Sequence, residues 1–226
     1  MGKMTDVLKK VAEEQLNRLE KKAEISHGYI VTQKADSKVN PRLVTYHEPM
    51  APVSEQYRIL RTNLLSMSAR KNMKTFVVSS AIHGEGKTVT AANLAFVMAE
   101  DLNAKSILLV DADLRRGRVS YMLGLGPRSG FAELLSNSNG TSLNNTLVDI
   151  GVKNLTILPS GKSPKNPAEL LGSVRMKELL LELRGKFDAV LFDAPPVMSV
   201  TDPGVLGAKC SGVLMVVQAV RTQRAS

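Results

Sequence analysis

From residue 53 onward, short and continuously apolar runs alternate with longer stretches whose apolar residues recur at helical spacing. Thr75–Ser80, Ser106–Val110, Leu155–Leu158, Ala189–Phe192 and Gly212–Val217 read as strands. Helices are predicted over Ser54–Arg70, Lys87–Asp101 and Ser173–Arg184, with a shorter one near Gly204–Lys209. Strands without a polar face, alternating with helices, predict an α/β architecture: a parallel sheet covered by helices on both faces. Right-handed crossovers then gather the loops that follow the strands along one rim, where ligands bind.

The first 52 residues follow a different pattern. Thr5 to about Lys22 reads as a helix, with Thr5 as cap, Asp6 in the first turn and Val7, Leu8, Val11, Leu16 and Leu19 as an apolar stripe. Ala23–Pro52 mixes Gly, Pro, Ser, Asn, Lys and His with short apolar pairs, which reads as a linker or loosely docked arm. The expected organisation is therefore a helix and linker arm over 1–52, followed by a single domain over 53–226.

Composition narrows the classes. With 43% hydrophobic and 23% charged residues among 226, the chain has enough apolar side chain to fold. It has no run near the roughly 20 apolar residues needed to span a bilayer. The start, MGKMTDVLKK, has no apolar signal core, and the single Cys210 excludes an internal disulfide or a multi-cysteine zinc site. A cytoplasmic setting is expected. The net charge of +9 suggests acidic partners, whereas the absence of Trp and an aromatic content of 4% argue against stacking on single-stranded nucleic acid.

The strongest chemical signal is Ala81-Ile-His-Gly-Glu-Gly-Lys-Thr88, a relaxed [AG]-x-x-x-x-G-K-[ST] phosphate loop between a strand and a helix start. Gly84 and Gly86 let the backbone turn its N–H groups toward phosphate oxygens, at the positive end of the following helix. Lys87 is suited to the β- and γ-phosphates and the Thr88 hydroxyl to a Mg²⁺ shell. The nucleotide-binding set is Gly84, Glu85, Gly86, Lys87, Thr88 and Val89. Two strand ends bring carboxylates to the same rim: Asp111 and Asp113 after the 106–110 run, and Asp193 after the 189–192 run. Hard oxygen ligands there suit Mg²⁺ or its waters, and one carboxylate can deprotonate an attacking hydroxyl.

Glu55, Arg58 and Arg61 stand at i, i+3 and i+6 and so line one flank of the 54–70 helix, beside an apolar stripe of Leu60, Leu64 and Met67. Taken alone, that flank reads as solvated, with intrahelical pairing.

Together these residues resemble the bacterial protein-tyrosine kinases of capsule and exopolysaccharide assembly, deviant-Walker relatives of the division and partition ATPases. The resemblance covers roughly Pro52–Gln218. It includes the 81–88 loop, the second Walker-like Asp111-x-Asp113-x-Arg115, the Asp193 strand, and Glu55-x-x-Arg58-x-x-Arg61, which in that family joins subunits into a ring. Ile82 stands where partition ATPases carry an extra lysine, with His83 where a glycine is usual.

The resemblance implies an ATP- and Mg²⁺-dependent tyrosine autokinase. Lys87, Asp111 and Asp113 would be catalytic, and Asp111 or Asp113 would take the phenolic proton. Thr88, Asp111 and Asp193 would be arranged around the metal, and Glu55, Arg58 and Arg61 would form the oligomer interface. It further implies a homo-oligomeric ring, activation by the cytoplasmic tail of a membrane co-polymerase, and recruitment to the inner membrane face. Arg115 is expected to steady a phosphate or the carboxylates, and Arg116, Arg118, Arg221 and Arg224 to meet acidic segments. Relatives continue past the last strand with a helix, a strand and a terminal tyrosine cluster. Here the tyrosines are Tyr29, Tyr46, Tyr57 and Tyr121, so the expectation is a domain with C-terminal elements missing and bare apolar surface on the 212–217 strand. Two other functions remain open from sequence: a partition-type MgATPase switch acting on DNA or membrane, and a non-catalytic nucleotide-binding adaptor.

Overall fold

In the computed structural model the described residues are 31–32, 39–71, 73–100, 106–137 and 140–219. The helix predicted over Thr5–Lys22 lies outside them. The strands are β1 (Val31–Thr32), β2 (Thr75–Ser80), β3 (Ile107–Asp111), β4 (Val148–Asp149), β5 (Leu155–Leu158), β6 (Ala189–Asp193) and β7 (Gly212–Val216). The helices are α1 (Val44–His47), α2 (Pro52–Lys71), α3 (Lys87–Ala99), α4 (Val119–Met122), α5 (Phe131–Ser136), α6 (Leu143–Thr146), α7 (Pro167–Gly172), α8 (Val174–Lys186) and α9 (Asp202–Gly207). All five predicted strands form.

One sheet holds every strand among the described residues, in the order β1-β4-β5-β3-β6-β2-β7. β5, β3, β6, β2 and β7 run parallel, as the alternation requires. β6 is inserted between β2 and β3, so Asp193 stands beside Asp111 in register, with Val78 on its other side. The sheet departs from the all-parallel expectation at one edge, where β4 pairs antiparallel with β5. The short connection 150–154 explains this: Gly151 and Asn154 take positive φ of 77° and 66°, and a tight turn returns the chain antiparallel, whereas a parallel return needs a crossover.

β2, β3 and β6 are buried at every residue, between helices on both faces. α3 is buried from Ala91 through Ala99, because the sheet covers one side of it and α1 and α2 cover others, with Phe96 against Tyr46, and its small alanines admit close neighbours. At the far edge, β7 alternates half-buried and exposed residues. Val213 is 51% exposed and Met215 44%.

The expected loose arm is corrected over residues 39–52. Val39 and Leu43, four apart, are buried in the core, and Pro52 already opens α2. The segment is fastened by Asn93 of α3, whose Nδ2 donates to the Arg42 and Val89 carbonyls at 3.0 and 2.9 Å. Its Oδ1 accepts from the Thr45 backbone N–H at 3.0 Å and from the Thr45 hydroxyl at 2.8 Å. Asn93→Ala leaves the half-buried Arg42 carbonyl and the buried Thr45 N–H without partners, at an expected cost of about 2–4 kcal/mol. Thermal unfolding measures it; an unchanged midpoint would mean that water replaces the amide freely.

Candidate functional site

The site lies at the carboxyl ends of β2, β6 and β3. Ser80 ends β2, and the chain then turns through 81–86 before α3 begins at Lys87. Gly84 and Gly86 take φ of 87° and 94°, a region costly for any residue with a Cβ, so the turn needs both glycines. Glu85 is buried, and its carboxylate accepts from the Ile82 N–H at 2.8 Å and the Gln218 N–H at 3.4 Å. Its backbone belongs to the cradle, but its side chain latches the loop rather than facing a ligand. Ser80 Oγ donates to the Ile82 carbonyl at 2.8 Å.

Lys87 Nζ lies 3.1 Å from Asp113 Oδ2, 3.6 Å from Asp193 Oδ1 and 3.4 Å from Thr88 Oγ1. The Thr88 hydroxyl donates to Asp193 Oδ2 at 2.7 Å. Asp111 accepts the Val119 N–H through Oδ2 at 2.9 Å. Asp113 accepts the Arg116 N–H through Oδ1 at 3.1 Å. The predicted residues Lys87, Thr88, Asp111, Asp113 and Asp193 thus converge from three separate stretches of chain.

Burial sets the electrostatics. Asp193 has no solvent exposure, and that burial pushes its carboxyl up to about 6, although Lys87 and the Thr88 hydroxyl pull it back. Asp111 is held well above the ordinary carboxylate range, first by burial and then by the charge of Asp193, with the Val119 N–H acting against both. One oxygen of each, Asp111 Oδ1 and Asp193 Oδ1, has no hydrogen-bond partner. Two adjacent buried carboxylates with open oxygens, beside a threonine hydroxyl, form a donor set suited to a hard divalent cation. No group of three or more His, Cys, Asp or Glu among the described residues is arranged to hold a metal unaided.

Above this cluster opens a cleft of ≈340 Å³, lined by the loop residues His83, Gly84, Gly86, Lys87, Thr88 and Val89 and by Asp113. Arg42, Arg116, Arg118 and Met122 complete its wall. Asp111 does not line it. The expectation for Arg115 takes another form: Nε and Nη2 pair with Asp202 Oδ2 and Oδ1 at 2.9 and 3.1 Å. Asp202 is fully buried at the start of α9, so this bidentate clamp ties the Asp113 loop to the chain following β6. Asp202 and Arg42 escape sequence reasoning. The only local trace of Arg42 is the Val39–Leu43 spacing that docks its segment.

Glu55, Arg58 and Arg61 do lie on one flank of α2, and within the chain two of them serve α3. Arg58 pairs with Glu100 at 3.1 Å and with Glu55 at 3.3 Å, and Arg61 donates to the Val97 carbonyl at 2.7 Å near the end of α3. The Glu55 side chain remains 61% exposed.

A protein-family profile described as an AAA domain matches residues 73–221. Over 188 residues the chain is 38% identical to the tyrosine-protein kinase YwqD of Bacillus subtilis, covering 83% of this chain and 78% of that one. Among solved structures, the chimerical protein CapA2B2 superposes with a TM-score of 0.72 at 26% identity, covering 87% of this chain and 83% of the other. The kinase domain of the Escherichia coli tyrosine kinase ETK gives 0.71 at 29%, covering 77% and 67%.

Proposed function

The chain belongs to the bacterial tyrosine-protein kinases, P-loop proteins of capsule and exopolysaccharide assembly, and on that premise we propose that it is an ATP-dependent tyrosine autokinase. The observation that carries this reading is the convergence of Lys87, Thr88, Asp111, Asp113 and Asp193 beneath a glycine loop whose two positive-φ residues turn its amides into a cradle.

The backbone from Gly84 to Thr88 takes the β- and γ-phosphates, and Lys87 exchanges part of its contact with Asp113 for phosphate oxygens. Thr88 and Asp193 would hold Mg²⁺ and Asp111 would face its waters, and the ion when bound offsets phosphate charge and fixes the polyphosphate chain. A tyrosine phenol, with a pKa of about 10, needs a base to become a nucleophile at neutral pH. Asp111 is the base in this reading, because one of its oxygens is open, whereas both oxygens of Asp113 are engaged by donors. The phenolic proton passes through a water to Asp111, which lies beneath the cleft and not in its wall, the phenol oxygen bonds to the γ-phosphorus, and the bond to the bridging oxygen breaks with its electron pair leaving on ADP.

The acceptor comes from another subunit in this reading. Glu55, Arg58 and Arg61 exchange intrachain partners for a neighbour's charges and assemble a ring at the inner membrane face, under the cytoplasmic tail of a co-polymerase partner. No helix among the described residues is long and apolar enough to cross a membrane, which fits recruitment by a partner.

Incubation with Mg·ATP followed by mass spectrometry tests the proposal. Phosphate is expected on tyrosine, and among the described tyrosines Tyr121 is 72% exposed, whereas Tyr57 is half-buried and its phenol is pushed up by that burial. The Glu55/Arg58/Arg61 triple alanine variant should sediment as a monomer and lose at least about tenfold in labelling, because transfer between subunits depends on their proximity. ATP hydrolysis with unlabelled tyrosines would favour the MgATPase switch instead.

A further inference from the structure

Arg42, Arg116 and Arg118 line the phosphate cleft from outside the glycine loop, and all three are exposed to it. None of these guanidiniums meets a carboxylate among the described residues, whereas Arg58, Arg115 and Arg175 are all paired. Lys87 is already shared between Asp113 and Asp193, so its single charge is largely offset before any ligand arrives. A triphosphate brings about four negative charges, and a cleft with three uncommitted guanidiniums is suited to an anion richer in charge than one lysine can match.

Arg42 is held there by construction. Its carbonyl accepts from Asn93, its N–H donates to Asn40 Oδ1 at 3.0 Å, and Leu43 beside it is fully buried. Asn93 sits on α3, the helix that Lys87 begins, so the backbone bearing Arg42 is fastened to the same rigid element as the phosphate loop.

We propose that Arg42, with Arg116 and Arg118, binds the terminal phosphate of a nucleoside triphosphate, so that the segment 39–47 is part of the nucleotide site and reads whether the third phosphate is present. This rests on reading 81–88 as a nucleotide-binding loop. The cradle and Lys87 hold the β-phosphate that both nucleotides carry and touch the γ-phosphate as well, and the arginine wall adds contacts that the γ-phosphate alone receives.

Fluorescent N-methylanthraniloyl ATP and ADP, each titrated with Mg²⁺ into the full chain, separate these contributions. Arg42→Ala is expected to weaken the triphosphate roughly tenfold and the diphosphate less than about twofold, and Arg42→Lys to restore part of the loss. The Arg116→Ala/Arg118→Ala double variant should act in the same direction. Because Arg42 is exposed, its thermal midpoint should match wild type, so lost affinity is not lost fold. Equal losses for both nucleotides, or none for either, would overturn the proposal while leaving the loop reading intact. Failure of the wild-type chain to bind either nucleotide would overturn both.

Discussion

Lys87→Met is expected to abolish phosphotyrosine formation, by at least about a hundredfold, and to make the folded protein more sensitive to alkaline pH. The first effect follows from the lysine's position at the start of α3, where it is the one cation supplied by the phosphate loop itself. The second follows from its partners. Lys87 is mostly buried between Asp113 and the fully buried Asp193, and removing one member of a buried ion pair leaves an uncompensated charge, costing about 3–5 kcal/mol. The cost is reduced where Asp193 takes up a proton. With Lys87 present its carboxyl already stands at about 6, and losing that cation moves it higher. The variant should therefore lie close to wild type in stability near pH 5 and fall well below it near pH 8. Thermal melts at the two pH values, paired with an anti-phosphotyrosine blot, check both halves. Methionine keeps the length of the stem, so the packing loss is small. Lys87→Arg should not rescue, because a planar guanidinium does not fit a place where one nitrogen is shared by two carboxylates and a hydroxyl.

Much of the site is legible in the sequence because each part is local. The glycines, lysine and threonine of 84–88 lie in one short stretch, and a carboxylate after an apolar run marks a strand end whatever the order of the strands. Strand order itself is not local. That β6 enters between β2 and β3, bringing Asp193 beside Asp111, depends on crossovers whose partners the apolar runs do not specify. The same reason hides Asp202, which reads as a helix start after a turn, and whose union with Arg115 spans 87 positions. Residues 39–52 mislead for a different reason. Their polar, Pro-bearing composition resembles a linker, yet two buried apolar side chains and one buried asparagine of α3 dock them, because Asn93 makes three hydrogen bonds to the segment at once. The antiparallel β4 is two residues long, too short to show any periodicity.

Asp111→Asn should remove kinase activity and at the same time stabilise the protein in metal-free buffer. Both signs come from one arrangement. Asp111 and Asp193 are register neighbours on β3 and β6, both without solvent exposure, and each has an oxygen with no hydrogen-bond partner. An asparagine keeps its Oδ1 on the Val119 N–H and turns an amide N–H toward the acidic neighbour, so a repulsion is replaced by an attraction at constant volume. Linkage sets the pH window. Both carboxyls titrate higher in the folded state than in the unfolded chain, so the folded state retains protons as the pH rises. Their stabilising contribution is full below about pH 4 and falls as the pH rises, for Asp193 through its value of about 6. Asp111→Asn deletes one of these losses. Its advantage should be near zero at pH 4 and reach on the order of 1–3 kcal/mol at pH 8, measured by denaturant unfolding in EDTA. The acceptor phenol then has no strong base, and phosphotyrosine should drop by about a hundredfold or more. Added Mg²⁺ should stabilise wild type more than the variant, since it supplies the positive charge that the paired carboxylates lack and the amide does not need. A variant less stable than wild type at pH 8 would mean that Asp111 is not electrostatically strained, and one that still labels its tyrosines would mean that it is not the base. In that case Asp113, which lines the cleft and touches Lys87, would be the carboxylate left to accept the proton.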